Sequence, residues 1–559
     1  MTTEQIIVAR PTETQVEQLK AGWSKLPEIL KLMKFDNLRK GQKEVIVNIL
    51  AGRDTLAILP TSMGKSACFV IPTLCLNWGT LIFSPLTALM RDQTQSLNAK
   101  RIPAMCVSGM NTEAENMQAL RRWADGELSF LFVAPERIPN PDFQAALEKR
   151  PPQMIAVDEC HTISQWSDNF RSSYCKIADL INKYNPKVVG AFTATCPQEA
   201  ESDVRRVLGM EKATKIMYCP RRANLHLSSR RLESDSDIVN LLRQNKEGGA
   251  IVYCSSQAKT EELANTLERL LGEEVHFFHS EISSNDKANT LDLFMNNTVR
   301  IICATNAFGM GVDKPNIRTV IHRDIPGSIE ALSQEIGRAG RDGKDSKCVT
   351  FVASDSIDTQ RFFIENGHPS RKEILQLFNV LRKAQGAKED SIQMTIKELA
   401  SQAGIYIKKI TSILETLKAA NVIDRASNAQ KTFRVKLVKP DHEEEKLHYA
   451  WDKIEQMGIM TPQKFFEVDM DWFINAMNLG ENTVKGYLRK WAEAELIRYV
   501  PPFRGVPTKI VGDINNVDFA RLEDKAKRSH QKLAEVIKYT ETPDEEKHDF
   551  LEAYFNIKA

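Results

Sequence analysis

The chain has 559 residues, of which 42% are hydrophobic and 26% charged, and its 75 Lys+Arg against 73 Asp+Glu leave a net charge of +2. That length exceeds one core and predicts roughly three to five domains of about 100–200 residues each. The balanced charge excludes a globally basic nucleic-acid binder, so any such track must be a local groove, and no run of about 18 apolar residues is present to cross a bilayer.

At the amino end, MTTEQIIVAR lacks the basic and then apolar pattern of a secretory signal, and residues 1–28 carry no motif. The expected setting is a reducing compartment, the cytoplasm and its nucleoid in a prokaryote or virus and the nucleus in a eukaryote. The ten cysteines are never spaced C-x-x-C and none follows Cys348, which predicts free thiols and no zinc.

Over residues 29–354, short β-rich apolar runs alternate with helix-length amphipathic stretches, the pattern of βαβ units and parallel sheets. TLAILP, TLIFSP, LSFLFVAP, MIAVDE and VVGAFTAT are predicted strands of a first lobe (29–217), and GAIVYCSS, VHFFHS, VRIICAT, TVIHRDI and KCVTFVAS of a second (218–354). The polar segment around 215–235 reads as the linker. A helical connector (355–392) leads to a winged helix at 393–440, a weaker copy of that layout at 441–515, and a charged helical tail at 516–559.

Three short segments carry chemistry. Thr61, Ser62, Met63, Gly64, Lys65 and Ser66 follow a strand and open a helix, where backbone N–H groups and the helix dipole can hold phosphates. Lys65 would neutralise the β/γ-phosphates and Ser66 would ligate Mg²⁺; the alternative is a plain strand-to-helix turn, and Leu59 stands where such loops have their first glycine. In IAVDECH, strand alternation would point Asp158 at the Mg²⁺ shell and Glu159 at the attacking water, the alternative being two acids that cap the next helix. In QEIGRAGRD, Arg338 and Arg341 lie three apart on one expected helix face beside Gln334, as fingers for a γ-phosphate or else as a solvated basic face.

Together these segments, in this order over residues 33–353, resemble the RecQ-like DNA helicases of superfamily 2. The resemblance implies two tandem RecA-like lobes followed by mostly helical, winged-helix-type domains, with ATP and Mg²⁺ in the cleft and movement 3′→5′ on DNA. It implies an adenine-recognition segment with Phe35, Arg39 and Gln42, and a cleft lined by Thr305, Gly309, Gly311 and Asp313. It also implies DNA contacts from Ser84, Arg91 and Gln93, and a DNA-sensing loop with His161, Gln165, Trp166, Phe170 and Arg171. Trp166 and Phe170 can stack on bases and Arg171 can pair a phosphate. Arg222 and Asn224 match an arginine and an asparagine of the family's interlobe segment.

This sequence departs from the family pattern after the second lobe, where a four-cysteine zinc module is usual. Here Val536–Thr540 and Phe550–Phe555 resemble part of that module, with Thr540 at a cysteine position, as in a permuted, metal-free relic; two ordinary amphipathic helices are the alternative. Phe503 and Arg504, in a stiff PPFRG segment, are candidate wedge residues at a junction of single- and double-stranded DNA, against an ordinary hairpin. A duplex translocase without strand separation, or an ATP-gated scaffold in a repair or defence complex, are the rival functions, with protein partners possible through the C-terminal domains.

Overall fold

The computed structural model describes residues 12–60, 63–85, 87–165, 168–194, 196, 198–218, 221–308, 314–385, 392–425, 432–438, 465–501 and 506–555. Thr61, Ser62, Trp166, Gly309, Gly311, Asp313, Phe503 and Arg504 lie outside them, and of Gln165, Phe170 and Arg171 only the helical backbone is described. The chain divides into two units, residues 1–364 with 527–559, and residues 365–526.

In the first unit, β1 (Thr55–Ile58), β2 (Thr80–Phe83), β3 (Ala104–Val107), β4 (Phe130–Val133), β5 (Met154–Val157), β6 (Val188–Thr193) and β7 (Thr214–Met217) form one sheet in the order β3-β4-β2-β5-β6-β1-β7. Every pairing in it is parallel. Successive side chains alternate between its faces: Leu56, Leu81, Leu131 and Ile155 enter one core, Ala57, Ile82, Phe132 and Ala156 the other. Helices cover both faces, which is why these strands are apolar throughout.

A second parallel sheet contains β8 (Leu225–Arg231), β9 (Gly249–Tyr253), β10 (Val275–Phe278), β11 (Ile301–Ala304), β12 (Ile317–His322) and β13 (Ser346–Val352), in the order β10-β11-β9-β12-β13-β8. The strand β8 falls inside the segment whose polarity reads as a linker. Its edge is covered by the end of the chain: Leu533, Val536, Tyr539 and Phe555, from the helices Phe519–Glu541 and Lys547–Tyr554, join the core around Leu225, Leu227 and Cys348. Asp544 accepts from the Ser229 N–H at 3.1 Å, and His548 lies 2.9 Å from the Leu225 carbonyl. Capping an edge strand in this way removes a template for unwanted pairing.

Lys547 is fully buried and donates to the Tyr539 and Thr542 carbonyls at 2.8 and 2.9 Å, satisfying acceptors at the end of the preceding helix. The Thr540 hydroxyl donates to the Ile537 carbonyl of its own helix.

The second unit holds two small cores. One gathers Ile374, Leu377, Leu399, Ile410, Leu414, Val422 and Val517; the other Phe433, Val468, Phe473, Leu488 and Trp491. The helices Ile396–Ala403 and Ile407–Ala419 meet at the helix-turn-helix position expected of a winged helix. The strands are exchanged relative to the contiguous sequence reading. β14 (Ile423–Arg425) pairs with β18 (Thr508–Ile510), whereas β15 (Thr432–Leu437) pairs with β16 (Phe466–Asp469) and β17 (Ile497–Val500), all antiparallel. The second module is thus inserted within the sheet of the first.

Candidate functional site

The phosphate-loop segment connects β1 to the helix Ala67–Leu76. Gly64 has φ +68°, and a Cβ there would stand 2.9 Å from Gln42 Nε2, so the glycine allows the loop to approach the base-recognition segment. Gln42 Nε2 donates to the Met63 and Gly64 carbonyls at 2.6 and 3.2 Å, and its Oε1 accepts from the Arg39 N–H at 2.9 Å. One amide therefore ties the expected adenine segment to the expected phosphate loop. Phe35 and Arg39 are exposed beside it.

Lys65, only 6% exposed, places Nζ 3.3 Å from Glu159 Oε1. The strand β5 ends at Val157, so strand alternation does not point the two acids to different faces, as the sequence implies. Glu159 sits at φ +49°, the left-handed region that a non-glycine residue enters at a cost of order 1 kcal/mol, and its carboxylate shares the Lys65 ammonium with Asp158. Asp158 Oδ1 accepts the Glu159 N–H at 3.0 Å and stabilises that turn.

Burial and the neighbouring Glu159 carboxylate push the Asp158 carboxyl up, against the pull of Lys65. Burial works against ionisation of Glu159 too, but the Lys65 ammonium and His161 outweigh it and hold Glu159 below the usual carboxylate range. Two carboxyl groups facing one ammonium make an oxygen-rich, electron-rich corner. Together with the Ser66 hydroxyl this donor set fits a hard divalent cation.

Gln93, expected among the DNA contacts, turns to this corner: its Nε2 donates to Ser66 Oγ at 3.1 Å and its side chain hydrogen-bonds Asp158. The helix Thr87–Ala99 carries it there. The Ser84 N–H extends the β2–β4 ladder to the Val133 carbonyl, and its buried hydroxyl has no hydrogen-bond partner among the described residues. Arg91 donates to the Met110 carbonyl and Asn111 Oδ1, at 2.8 and 3.0 Å.

His161 follows the acidic pair and is 7% exposed. Its Nδ1 lies 3.3 Å from Glu159 Oε2 and 2.9 Å from Thr193 Oγ1 at the end of β6, and its Nε2 lies 3.3 Å from Gln334 Nε2 of the second sheet's lobe. The resemblance sets His161 in the DNA-sensing loop, next to the acidic pair, and the structure brings its ring to the Glu159 carboxylate.

The arginine segment is not one helix face. The helix Ile329–Ile336 ends before it, and Arg338, Ala339, Gly340 and Arg341 follow in successive turns, with Gly340 at φ +54°. The left-handed backbone at Gly340 keeps the segment from resuming the helix that ended at Ile336. Glu335 pairs with the buried His322 at 2.9 Å and anchors the helix to β12. Arg338, 6% exposed, hydrogen-bonds the Tyr253 hydroxyl, which itself donates to the Phe308 carbonyl at 3.3 Å. Arg341 is half-buried and Thr305 buried, the latter accepting from the Ala307 N–H.

Two family models match the chain, DEAD/DEAH box helicase over residues 39–203 and helicase conserved C-terminal domain over 233–343. The probable ATP-dependent DNA helicase RecS of Bacillus subtilis is 35% identical over 378 residues, covering 66% of this chain and 74% of RecS. The ATP-dependent DNA helicase RecQ of Pasteurella multocida is 33% identical over 61% of this chain and 54% of its own length, so the chain spans about half of that relative. A putative ATP-dependent RNA helicase of Acanthamoeba polyphaga mimivirus is 35% identical over 65% of this chain and 67% of its own. Among solved structures, Mycobacterium smegmatis helicase Lhr bound to ssDNA and AMP-PNP matches 70% of this chain and 57% of its own at 18% identity and TM-score 0.49.

Proposed function

This chain belongs to the RecQ-like, superfamily-2 ATP-dependent DNA helicases, and from that premise we propose that it hydrolyses ATP between its two parallel-sheet lobes to move 3′→5′ on single-stranded DNA and open the duplex at junctions. The observation that carries this reading is the position of His161, within hydrogen-bond reach of the Glu159 carboxylate of one lobe and the Gln334 amide of the other. A change in the spacing of the lobes is thereby felt at the group that activates water.

In this reading Lys65 and the loop from Thr61 to Ser66 hold the β/γ-phosphates, while Ser66 and Asp158 hold Mg²⁺. The ion, when bound, screens the phosphate charge. Glu159 accepts the proton of the attacking water as its oxygen bonds to the γ-phosphorus and the bond to the ADP oxygen breaks. Arg338 and Arg341 stabilise charge on the transferring group, and Gln334 reports their arrival to His161. Gln42, with Phe35 and Arg39, selects the base, and Gly311 and Asp313 line the cleft.

Arg91, Thr305 and the loop of Gln165, Trp166, Phe170 and Arg171 follow the strand through backbone and stacking contacts that tolerate any sequence. Phe503 and Arg504 would meet the duplex at the fork.

The test is steady-state ATPase without nucleic acid and with single-stranded DNA, duplex DNA or RNA, with Glu159→Gln as control, followed by strand displacement on 3′- and 5′-tailed duplexes. Stimulation by single-stranded DNA with displacement of the 3′-tailed substrate is expected. Stimulation by duplex alone would favour translocation without unwinding, equal stimulation by RNA would favour an RNA substrate, and nucleotide-dependent binding without turnover would favour a scaffold.

A further inference from the structure

The sequence predicts a helix through both arginines, and the structure instead shows a turn whose carbonyls need other donors. The helix ends at Ile336 and its last carbonyls are met by the N–H groups of Gly337, Arg338 and Ala339, but the turn that follows leaves the carbonyls of Gly337 and Ala339 to donors from elsewhere, and burial makes unpaired carbonyls costly. The donors come from the segment that joins the two lobes. Arg222 Nη1 donates to the Gly337 carbonyl at 3.0 Å, and its Nη2 to the Ala339 and Gly340 carbonyls at 2.6 and 2.7 Å. Asn224 Nδ2 donates to the Gly340 and Lys344 carbonyls, each at 2.9 Å. These acceptors alternate with the arginines: Arg338 lies between Gly337 and Ala339, and Arg341 follows Gly340.

Gly340 gives an independent indication. A Cβ at that position would stand 2.5 Å from Asn224 Nδ2 and 2.7 Å from Ser346 Oγ, so the backbone is pressed against the amide more closely than any other residue type permits. The donor segment is itself braced, because the adjoining Arg221 pairs with Asp549 and His548 contacts the Leu225 carbonyl. The fork of a guanidinium reaches three carbonyls in one plane; an ammonium at the end of a flexible stem does not reproduce that geometry.

We propose that Arg222 and Asn224 are positioning residues for hydrolysis: they fix the backbone from Gly337 to Lys344 so that Arg338 and Arg341 are presented to the γ-phosphate as a preformed pair. The proposal rests on the assignment of these arginines as fingers. It makes the interlobe segment part of the hydrolytic apparatus and not merely a tether, and it places the effect on the chemical step instead of on binding.

The experiment is a double-mutant cycle in the full-length chain, with Arg222→Gln, Arg341→Ala and their combination, followed by kcat and KM of single-stranded-DNA-stimulated ATPase and the Kd for single-stranded DNA. Arg222→Gln should lower kcat by about tenfold or more while KM for ATP and the DNA Kd stay within about threefold, since only transition-state contacts are lost. The combined variant should fall well short of the product of the two single effects, because Arg222 acts only through the fingers and one of them is already gone.

Independent, multiplying effects on kcat would overturn the proposal, as would an unchanged kcat in Arg222→Gln or an equal loss of DNA affinity. Should Arg222→Gln fail to fold, Asn224→Ala carries the same cycle with a smaller fall in kcat, about threefold, and an unchanged kcat there is the overturning result. A wild-type chain without DNA-stimulated turnover defeats the helicase reading and this proposal together, whereas an active wild type with an indifferent Arg222→Gln defeats only the proposal.

Discussion

Gln334 Nε2 lies 3.3 Å from His161 Nε2, and this contact joins the two lobes beside the Glu159 carboxylate. An amide nitrogen can only donate, so the imidazole Nε2 must accept, which leaves the proton on Nδ1, directed at Glu159 Oε2 and Thr193 Oγ1. Removal of the Gln334 amide, as in Gln334→Ala, should therefore leave ATP binding intact and reduce the stimulation of kcat by DNA by about tenfold, the size of one lost hydrogen bond in a transition state. Stimulation as large as in the wild type would show that His161 does not sense the second lobe.

Lys65 and Glu159 form a pair whose side chains are only 7% and 15% exposed, with Asp158 buried beside them. The loss of Lys65 leaves two carboxyl groups in one desolvated corner, whereas the loss of the Glu159 charge leaves Lys65 facing Asp158. Both Lys65→Ala and Glu159→Gln should abolish turnover, but their stabilities should differ. In the nucleotide-free protein Lys65→Ala should cost about 3 kcal/mol and Glu159→Gln much less, read by thermal or denaturant unfolding. Equal costs would mean that the pair is solvated.

Cysteine chemistry offers a labelling test. Cys175 is exposed, while Cys68, Cys160 and Cys303 are buried and burial pushes their thiols up. Only the thiolate is a good nucleophile. At neutral pH a maleimide should modify Cys175 first among the described cysteines and leave the other three unmodified until the protein unfolds, as peptide mass mapping would show.

In the second unit, Lys409 Nζ lies 2.7 Å from Glu373 Oε1. Burial works against the Glu373 charge, but Lys409 and the Ser370 N–H and hydroxyl outweigh it and hold the carboxyl below its ordinary value. A depressed carboxyl pKa stabilises the fold above the unfolded-state value and loses that contribution as pH falls through the folded-state one. Lys409→Met should therefore lower the unfolding temperature at pH 7, and the difference should shrink only as pH falls below the ordinary carboxyl range and through the depressed folded-state value, in scans against pH. A difference that persists at low pH would assign the effect to packing.

The strands that the sequence reveals and those it hides differ in position. The predicted strands TLAILP, TLIFSP, LSFLFVAP, MIAVDE and VVGAFTAT become β1, β2, β4, β5 and β6, all interior to the first sheet. The three not read as strands, β3, β7 and β8, are all edges, although the edge strand β10 is predicted as VHFFHS. An interior parallel strand is covered on both faces and must be apolar throughout; an edge strand is partly wet and takes its conformation from the neighbour it pairs with.

The sequence by itself determined the segments whose chemistry is local: the phosphate loop at Gly64, Lys65 and Ser66, the acidic pair Asp158 and Glu159, and the arginines at 338 and 341, because their spacing along the backbone is their function. Only the tertiary structure decided what those groups touch. It turned Gln93 to Ser66, buried Ser84, and brought Thr193 and Gln334 to His161. It also ended the arginine helix early, met carbonyls of the turn that follows with donors from more than a hundred residues away, and paired β14 with β18 across an inserted module. The physical reason is common to all of these. Periodicity tells which way a side chain faces, but the partner of a hydrogen bond or a strand is chosen by the free energy of the whole packed unit, and no local pattern encodes it.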